Sequence, residues 1–197
     1  MKKIYIILAF LFCSYFVSNG QGSIAAMQYT VGIGTGDLKD FISKASFRGA
    51  TFDYRKMYMD KHVGIGFELG WSAYYEENNY ATYTNGTESI SGKQFRYCST
   101  VPVLISANYY LSPLKNINPF AGIGIGTEFS RSDLDMGVFT IQTDTWHFAV
   151  KPELGVIIKY GPGAGVIVSG KYYNAFKTSE QGTRSYIAAN VGLVWEY

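Results

Sequence analysis

The chain has 197 residues, of which 47% are hydrophobic, 17 are Lys or Arg and 15 are Asp or Glu. Lys2 and Lys3 belong to a predicted signal segment, so the remaining chain carries 15 basic and 15 acidic residues, and its charge gives no argument for nucleic-acid binding. The length suits one domain, and because Cys98 is the only cysteine beyond the signal segment, no intramolecular disulfide can form.

The first residues have the pattern of a secretory signal. The positive pair Lys2 and Lys3 precedes an apolar run over residues 4–17, and Ser18-Asn19-Gly20 supplies the small residues that a signal peptidase recognises. We predict a signal peptide over residues 1–20 and a mature domain over residues 21–197. Phe12 precedes Cys13 where a lipoprotein signal needs a small residue, so a lipid anchor is disfavoured.

Eight segments are predicted to be β-strands because large apolar residues recur at every second position. In chain order they cover residues 28–35, 47–58, 63–75, 97–111, 119–129, 145–159, 164–176 and 184–197. The third strand is the clearest, since every odd position from Val63 to Tyr75 is apolar while the even positions are mainly Gly, Ser and Glu. A strand of this length can cross a membrane at a tilt.

The connections between these strands alternate in length. Three tight turns lie at residues 59–62, 112–118 and 161–163, and four long polar loops are expected at residues 36–45, 76–92, 130–144 and 177–183. Outer-membrane barrels have short periplasmic turns, long outer loops and an even strand number, which leaves both chain ends in the periplasm. The predicted fold is therefore all-β, an eight-stranded antiparallel up-and-down transmembrane β-barrel.

Alternation alone does not decide which face of the strands lies outside, but composition does. The polar face is rich in Gly, Ser and Thr, which fit a crowded lumen. Tyr and Trp gather near strand ends and predict an aromatic girdle at the edges of the bilayer. The girdle residues are Tyr29, Tyr54, Trp71, Tyr109, Trp146, Tyr172 and Trp195.

Few charged residues fall within the strands, and those on the polar face include both signs. A Lys that faced lipid at mid-depth would cost roughly 2–4 kcal/mol, so we place these side chains inside the barrel, where they can pair. The predicted lumenal network contains Asp53, Arg55, Glu68, Glu128, Lys151, Glu153, Lys171 and Glu196. An eight-stranded barrel has just enough room for its own side chains, which disfavours an open pore or a paired-carboxylate catalytic site.

Two mid-strand prolines conflict with a closed sheet. Pro102 and Pro152 lack the N–H that each strand position donates, so we predict a local bulge or a water-satisfied carbonyl beside each.

No catalytic, cofactor-binding or metal site is predicted. His147 shares the lumenal face near the outer end, but no Ser and carboxylate accompany it at a spacing that defines a triad. Asp133, Asp135 and Asp144 lack the further ligands of a calcium loop and suggest a solvated acidic loop. The aromatic and Asn-rich stretch at residues 76–92 suits a binding surface or a β-ribbon above the membrane equally well.

Several segments resemble the outer-membrane β-barrel domain of the OmpA/OmpX-like "porin family" type. They are Val101-Pro102-Val103-Leu104, Asn108-Tyr109-Tyr110, the Gly-rich run at residues 119–126 and Pro152-Glu153-Leu154-Gly155-Val156. The closing Gly192-Leu193-Val194-Trp195-Glu196-Tyr197 resembles that family's C-terminal targeting strand. The resemblance implies that the barrel-assembly machinery reads Leu193, Trp195 and Tyr197 during insertion, although the family's usual last residue is Phe. It implies fold and location but no activity.

Together these patterns predict a monomeric, non-enzymatic barrel of the bacterial outer membrane that contributes to envelope structure or to surface interaction through its outer loops. Outer-membrane lipid and the assembly machinery are its expected partners, and a ligand bound by the loops is left open. The alternatives are a barrel enzyme that acts on lipid A or peptides near His147, a narrow channel, a secreted soluble barrel and a subunit of an envelope secretion complex.

Overall fold

A computed structural model describes residues 22–58, 62–85, 88–137, 139–179 and 181–196. It confirms the predicted fold class, because eight antiparallel strands form one closed ring in chain order, with β1 hydrogen-bonded to both β2 and β8. The strands are β1 (Ser23–Thr35), β2 (Gly49–Tyr58), β3 (Val63–Asn85), β4 (Glu88–Tyr110), β5 (Ile117–Met136), β6 (Phe139–Gly161), β7 (Ala164–Ala175) and β8 (Arg184–Glu196). The predicted signal peptide and Tyr197 lie outside the described residues.

The helical content of the described chain is small. Its one α-helix, α1 (Asp37–Phe41), follows β1, and no helix there is long and apolar enough to cross a membrane.

Two of the four predicted long loops are wrong, because residues 76–85, 88–92, 130–136 and 139–144 continue the strands. β3 and β4 stay paired out to Asn85 and Glu88, and β5 and β6 out to Met136 and Phe139. Cross-strand contacts between β-forming side chains extend the pairing, such as the rings of Tyr75 and Tyr97 at 5.0 Å. We call residues 76–85, 88–96, 130–136 and 139–145 the outer sheet. Residues 76–85 and 88–92 therefore form a β-ribbon, one of the two alternatives that the sequence left open.

The first long loop contains α1, which the sequence analysis did not predict. Leu38 and Ile42 are fully buried among side chains at the outer end of the lumen. The Asp37 carboxylate accepts a hydrogen bond from the Thr183 N–H at 2.7 Å, and the Arg96 guanidinium donates to the Phe41 carbonyl at 3.0 Å. Residues 36–43, here called the cap, therefore cover the outer mouth of the barrel.

The mid-strand prolines are accommodated without a bulge, so that part of the prediction is wrong. Pairing of β4 with β3 lapses next to Pro102, and pairing of β6 with β7 lapses next to Pro152. Each ladder resumes in the same register, and each proline stays paired with the strand on its other side. The pairs that flank the two gaps are Leu69↔Val103, Ser72↔Thr100, Val150↔Asn174 and Glu153↔Lys171. The register shifts in the described strands lie elsewhere, at Asn78/Ala81 and Lys159/Gly161.

The two faces of the strands are arranged as the composition indicated. The apolar row through Ile65, Phe67 and Leu69 is 47–48% exposed on the exterior, while Glu68 between them is completely buried. Small residues occupy inner-face positions at which a larger side chain would collide with its neighbours in the lumen. A Cβ atom on Gly155 would lie 2.6 Å from the Phe120 ring and 2.8 Å from the Ser169 Cβ.

This crowding gives a test of the inward face. We expect Gly155→Leu to destabilise the barrel by about 1–3 kcal/mol, because the buried Phe120 ring occupies the space that the new side chain needs. Ala121→Leu, on the exposed exterior, is the matched control and should change stability little. The measurement is the urea midpoint of the barrel in lipid vesicles. Equal midpoints for both variants would show that the inner face is not close-packed.

Candidate functional site

Six charged side chains meet at mid-height in the lumen and are almost completely buried. Each comes from the inward-facing parity of its strand, so the period of two in the sequence brings them together. We call this group the charged layer: Asp53 and Arg55 of β2, Glu68 of β3, Lys151 and Glu153 of β6, and Lys171 of β7. Three cations face three carboxylates, which leaves the layer without net charge.

The charged layer is a connected network of ion pairs. Lys171 Nζ lies 2.8 Å from Glu68 Oε2 and 3.2 Å from Asp53 Oδ2. Lys151 Nζ lies 2.8 Å from Glu153 Oε2 and also pairs with Glu68. Arg55 Nη2 joins Glu153 at 3.0 Å and Asp53 at 3.3 Å. Each charge is therefore compensated by at least two opposite groups, as burial in a low-dielectric interior requires.

Apolar and aromatic side chains close the lumen on both sides of the charged layer. On the side of the chain ends, Tyr110 and Phe120 contact Arg55, whose guanidinium donates to the Tyr110 hydroxyl at 3.2 Å and lies 5.0 Å from the Phe120 ring centre. On the outer side, the Tyr173 hydroxyl donates to Glu68 at 2.6 Å, and its ring stacks on Tyr186 at 4.6 Å. Above them lie Leu38 and Ile42 of the cap. The described lumen is filled by side chains.

Two members of the predicted lumenal network stand apart from the charged layer. Glu128 is buried nearer the outer end, where its carboxyl accepts a hydrogen bond from Tyr186 at 3.1 Å. Glu196 lies at the end of β8, partly exposed, and pairs with Lys159 at 2.9 Å. Alternation predicts the correct face of the strand for Glu196 but not its position along the barrel axis. Glu196 lies near the turn between β6 and β7, where its side chain is partly exposed to water.

The predicted girdle residues lie on the exterior. Six of them are 39–60% exposed, and Tyr54 is half-buried with its hydroxyl 3.2 Å from Ser23 Oγ. Above Trp146, which packs on Phe129 at 5.3 Å, the outward positions turn polar at Asp144 and Arg131. This change marks the outer limit of the apolar belt, so most of the outer sheet projects beyond it.

Leu193 and Trp195, which were predicted to form part of the assembly signal, point outward on β8. They are 49% and 40% exposed and pair with Met27 and Ala25 of β1 at the seam of the ring. Tyr197 is outside the described part of the chain.

His147 is buried, and both of its ring nitrogens have partners. Nδ1 lies 2.8 Å from the Phe176 carbonyl, and Nε2 lies 3.3 Å from Gln181 Oε1. Neither partner is a nucleophile. The imidazole thus links the connection between β7 and β8 to β6 by hydrogen bonds.

The acidic residues of the predicted third loop lie on the outward face of the paired strands β5 and β6. Asp133 pairs with Arg131 at 3.2 Å, and Asp135 accepts a hydrogen bond from Thr140 at 2.7 Å. Within the described ranges, no cluster of three or more His, Cys, Asp or Glu is placed to hold a metal ion.

Sequence reasoning missed two arginines at the outer mouth, Arg96 and Arg184. Both guanidinium groups lie over the Phe41 ring of the cap, at 5.5 and 5.8 Å from its centre. Arg184 is the first residue of β8, and Arg96 lies between the predicted loop at residues 76–92 and the predicted strand at residues 97–111, so neither stood out from strand alternation. Arg96 lies two residues before the buried Cys98, and Arg184 two residues before the buried Tyr186. This spacing places both arginines on the inward face of their strands and could have identified them.

Comparisons with known proteins place the fold among the outer-membrane barrels. The sequence matches no protein-family model and no curated protein sequence. In structure, the chain is similar to Neisserial surface protein A (14% identity, TM-score 0.56, covering 89% of this chain and 97% of the other). It is also similar to Ail, the attachment invasion locus protein of Yersinia pestis (8%, 0.56, 90% and 99%), and to a major outer membrane protein of Thermus thermophilus (7%, 0.60, 90% and 100%).

At these identities the likeness concerns the fold alone. It confirms the resemblance to OmpA/OmpX-like outer-membrane barrels at that level. The closed ring, the apolar exterior and the polar, filled lumen together define a transmembrane β-barrel of outer-membrane type.

The charged layer should depend on each of its carboxylates. We expect Glu68→Gln to destabilise the barrel by about 3–5 kcal/mol, because it leaves Lys151 and Lys171 buried with too little opposing charge. The matched control is Glu77→Gln, which removes an exposed carboxylate 2.6 Å from Lys93 and should have little effect. Urea unfolding in lipid vesicles measures both. A Glu68→Gln midpoint equal to that of the unchanged protein would contradict the network's structural role.

Proposed function

We propose that the protein is a monomeric, non-enzymatic barrel of the bacterial outer membrane, with both chain ends in the periplasm. In this proposal it contributes to the envelope as a filled barrel and presents the outer sheet as a surface for interaction. Outer-membrane lipid surrounds the barrel, and the barrel-assembly machinery inserts it. The observation that carries the proposal is the contrast between a lumen filled by side chains and a large sheet that projects beyond the apolar belt.

The filled lumen supports a structural role over a channel. A diffusing ion would have to pass the cap, the stacked rings of Tyr173 and Tyr186, and the charged layer. Below these, Tyr110 and Phe120 close the periplasmic side. Eight-stranded barrels have little interior beyond what their own side chains occupy, and these side chains are large.

The surroundings of His147 support the non-enzymatic assignment. A general base needs a free nitrogen within reach of a substrate proton, whereas both nitrogens of this buried ring face partners inside the protein. The Ser132 hydroxyl nearby receives a hydrogen bond from Arg184 at 3.1 Å, which does not activate it as a nucleophile.

The outer sheet has the features of an interaction surface. The Ala73 N–H of β3 reaches back to the Arg48 carbonyl, just before β2, at 2.8 Å. Beyond it, residues 77–85 form an edge with no neighbouring strand in the described structure. Tyr80 on this edge is 76% exposed. An open edge with an exposed aromatic side chain can bind an extended segment of a partner by strand addition.

The outward face of the same ribbon is charged. Lys93 pairs with Glu77, and the hydrogen bond from this ammonium holds the pKa of the Glu77 carboxyl below its usual value. The β3–β4 ribbon thus combines a polar face with an open edge, which suits contact with a partner in water more than contact with lipid.

A conductance measurement tests the filled lumen. In planar bilayers we expect no stepwise conductance from the folded protein, because side chains occupy the lumen at every level described above. A porin of about sixteen strands, which encloses an aqueous channel, is the positive control in the same bilayers. Reproducible steps from protein that is shown to be folded by its change in gel mobility on boiling would exclude the filled-barrel function.

A shortened ribbon tests the surface role. In the shortened variant, Asn-Gly replaces residues 80–92, since this pair makes a tight two-residue hairpin turn and leaves the barrel strands intact. We expect cells with this variant to adhere to protein-coated plates no better than cells lacking the protein. The shortened protein should still be recovered in the outer-membrane fraction, because the barrel strands are unchanged.

Folding is controlled by the same change in gel mobility between unheated and boiled samples. Unchanged adherence of cells with a folded, shortened ribbon would contradict the role of the outer sheet. Restored adherence with a ribbon that keeps its length but carries Tyr80→Ala would show that the open edge, rather than the exposed ring, makes the contact.

A further inference from the structure

A cavity of about 210 Å³ lies at the outer mouth of the barrel, between three separate parts of the chain. Phe41 of the cap forms one wall, and Ser132, Leu134 and Ile141 on the inward face of the outer sheet form another. Gln181, Gly182 and Arg184, around the connection between β7 and β8, also line it, together with Thr143 of β6. The cavity is independent of the open strand edge on which the proposed function rests.

Arg184 is the unusual member of this lining. The residue is buried, with 8% of its surface exposed. Its Nη2 donates to the Ser132 hydroxyl at 3.1 Å, while its Nε has no hydrogen-bond partner in the described structure. A buried guanidinium is a permanent cation with five donors, and leaving one without an acceptor is costly unless a ligand supplies it.

The charge of Arg184 is not paired within the cavity. No carboxylate in the described part of the chain lies within 4 Å of its guanidinium, in contrast to each cation of the charged layer. Glu128, deeper in the lumen, instead accepts its hydrogen bond from Tyr186.

The groups around Arg184 do not neutralise its positive charge completely. The second cation over Phe41, Arg96, donates to the Phe41 carbonyl and to Gln94, which are neutral acceptors. The Asp37 carboxylate, which accepts the Thr183 N–H, offsets part of this positive charge, but two cations, Arg184 and Arg96, face it around the cavity. The remaining positive charge favours an anion.

The rest of the lining selects the kind of anion. Phe41, Leu134 and Ile141 offer apolar contact, and Gln181 is held in place by its hydrogen bond to the Thr143 carbonyl at 2.8 Å. The volume is below the roughly 300–1,000 Å³ of pockets for drug-sized ligands, so a small molecule fits. Because the lining side chains turn towards the barrel axis, the cavity is reached from the aqueous outer side and not from lipid.

We propose that this cavity binds a small organic carboxylate, with the carboxylate on Arg184 and Ser132 and the hydrocarbon part against Phe41, Leu134 and Ile141. The guanidinium provides the charge-assisted hydrogen bonds, and the carboxylate neutralises its charge. Contact with the apolar wall favours binding of an anion that carries a short hydrocarbon chain or ring. A hydrated inorganic anion has no such part.

Calorimetric titration of the folded protein in detergent micelles with benzoate tests the proposal. We expect saturable binding, and we expect Arg184→Gln to weaken it about tenfold or more, because the charge that pairs with the carboxylate is lost. The matched control is Arg131→Gln, an exposed arginine on the outward face of the same hairpin as Ser132, which should leave the affinity unchanged. Benzamide, the neutral analogue, should not bind measurably.

A second variant keeps the test valid if Arg184→Gln does not give the folded band on an unheated gel. Ile141→Trp fills the cavity without removing the charge and should also abolish binding of benzoate. Equal affinity of benzoate for the Arg184→Gln or Ile141→Trp protein would overturn the proposal. Binding of inorganic phosphate as tightly as benzoate would overturn the assignment to an organic carboxylate, because it would show that the apolar wall contributes nothing.

Discussion

The structure depends on one constraint, which is that hydrocarbon offers no hydrogen bonds to the backbone. Every strand in the apolar belt must pair on both sides, so the sheet closes between β1 and β8. The two mid-strand prolines show that some loss of strand pairing is tolerated. Each interrupts the ladder on one side only, and the register is the same before and after the gap. Closure therefore tolerates local loss of pairing but no open edge within the belt.

Because of the same constraint, the outward surface of the strands differs in polarity on the two sides of the aromatic girdle. Within the belt, the outside is apolar and the lumen holds balanced charges, as in the pairing of Lys171 with Glu68. Beyond the girdle, β3 to β6 continue as a sheet whose outward positions are polar and whose outer edge at residues 77–85 is open. An open edge is acceptable there because water can satisfy it, and it is also what makes the surface available to a partner.

The period of two predicted much of this architecture. It indicated the eight strands, their inward and outward faces and the members of the charged layer, because alternation reports directly on which face a residue occupies. It could not indicate the height of a residue in the barrel, so Glu196 was grouped with buried charges that lie far from it. It also ended β3 near Tyr75, because the polar and aromatic ribbon beyond that point lacks an apolar row. α1 and the contact of Arg184 with Phe41 depend on segments far apart in the chain, so alternation gives the inward face of Arg184 but not its partner.

The cap has a consequence for the order in which the molecule is completed. Its helix follows the first strand, yet the Asp37 side chain is held by the Thr183 N–H, just before the last strand. The contact that holds the first loop in place is therefore complete only when the segment before the last strand lies beside it. Packing of Leu38 and Ile42 at the outer end of the lumen is thus linked to closure of the ring.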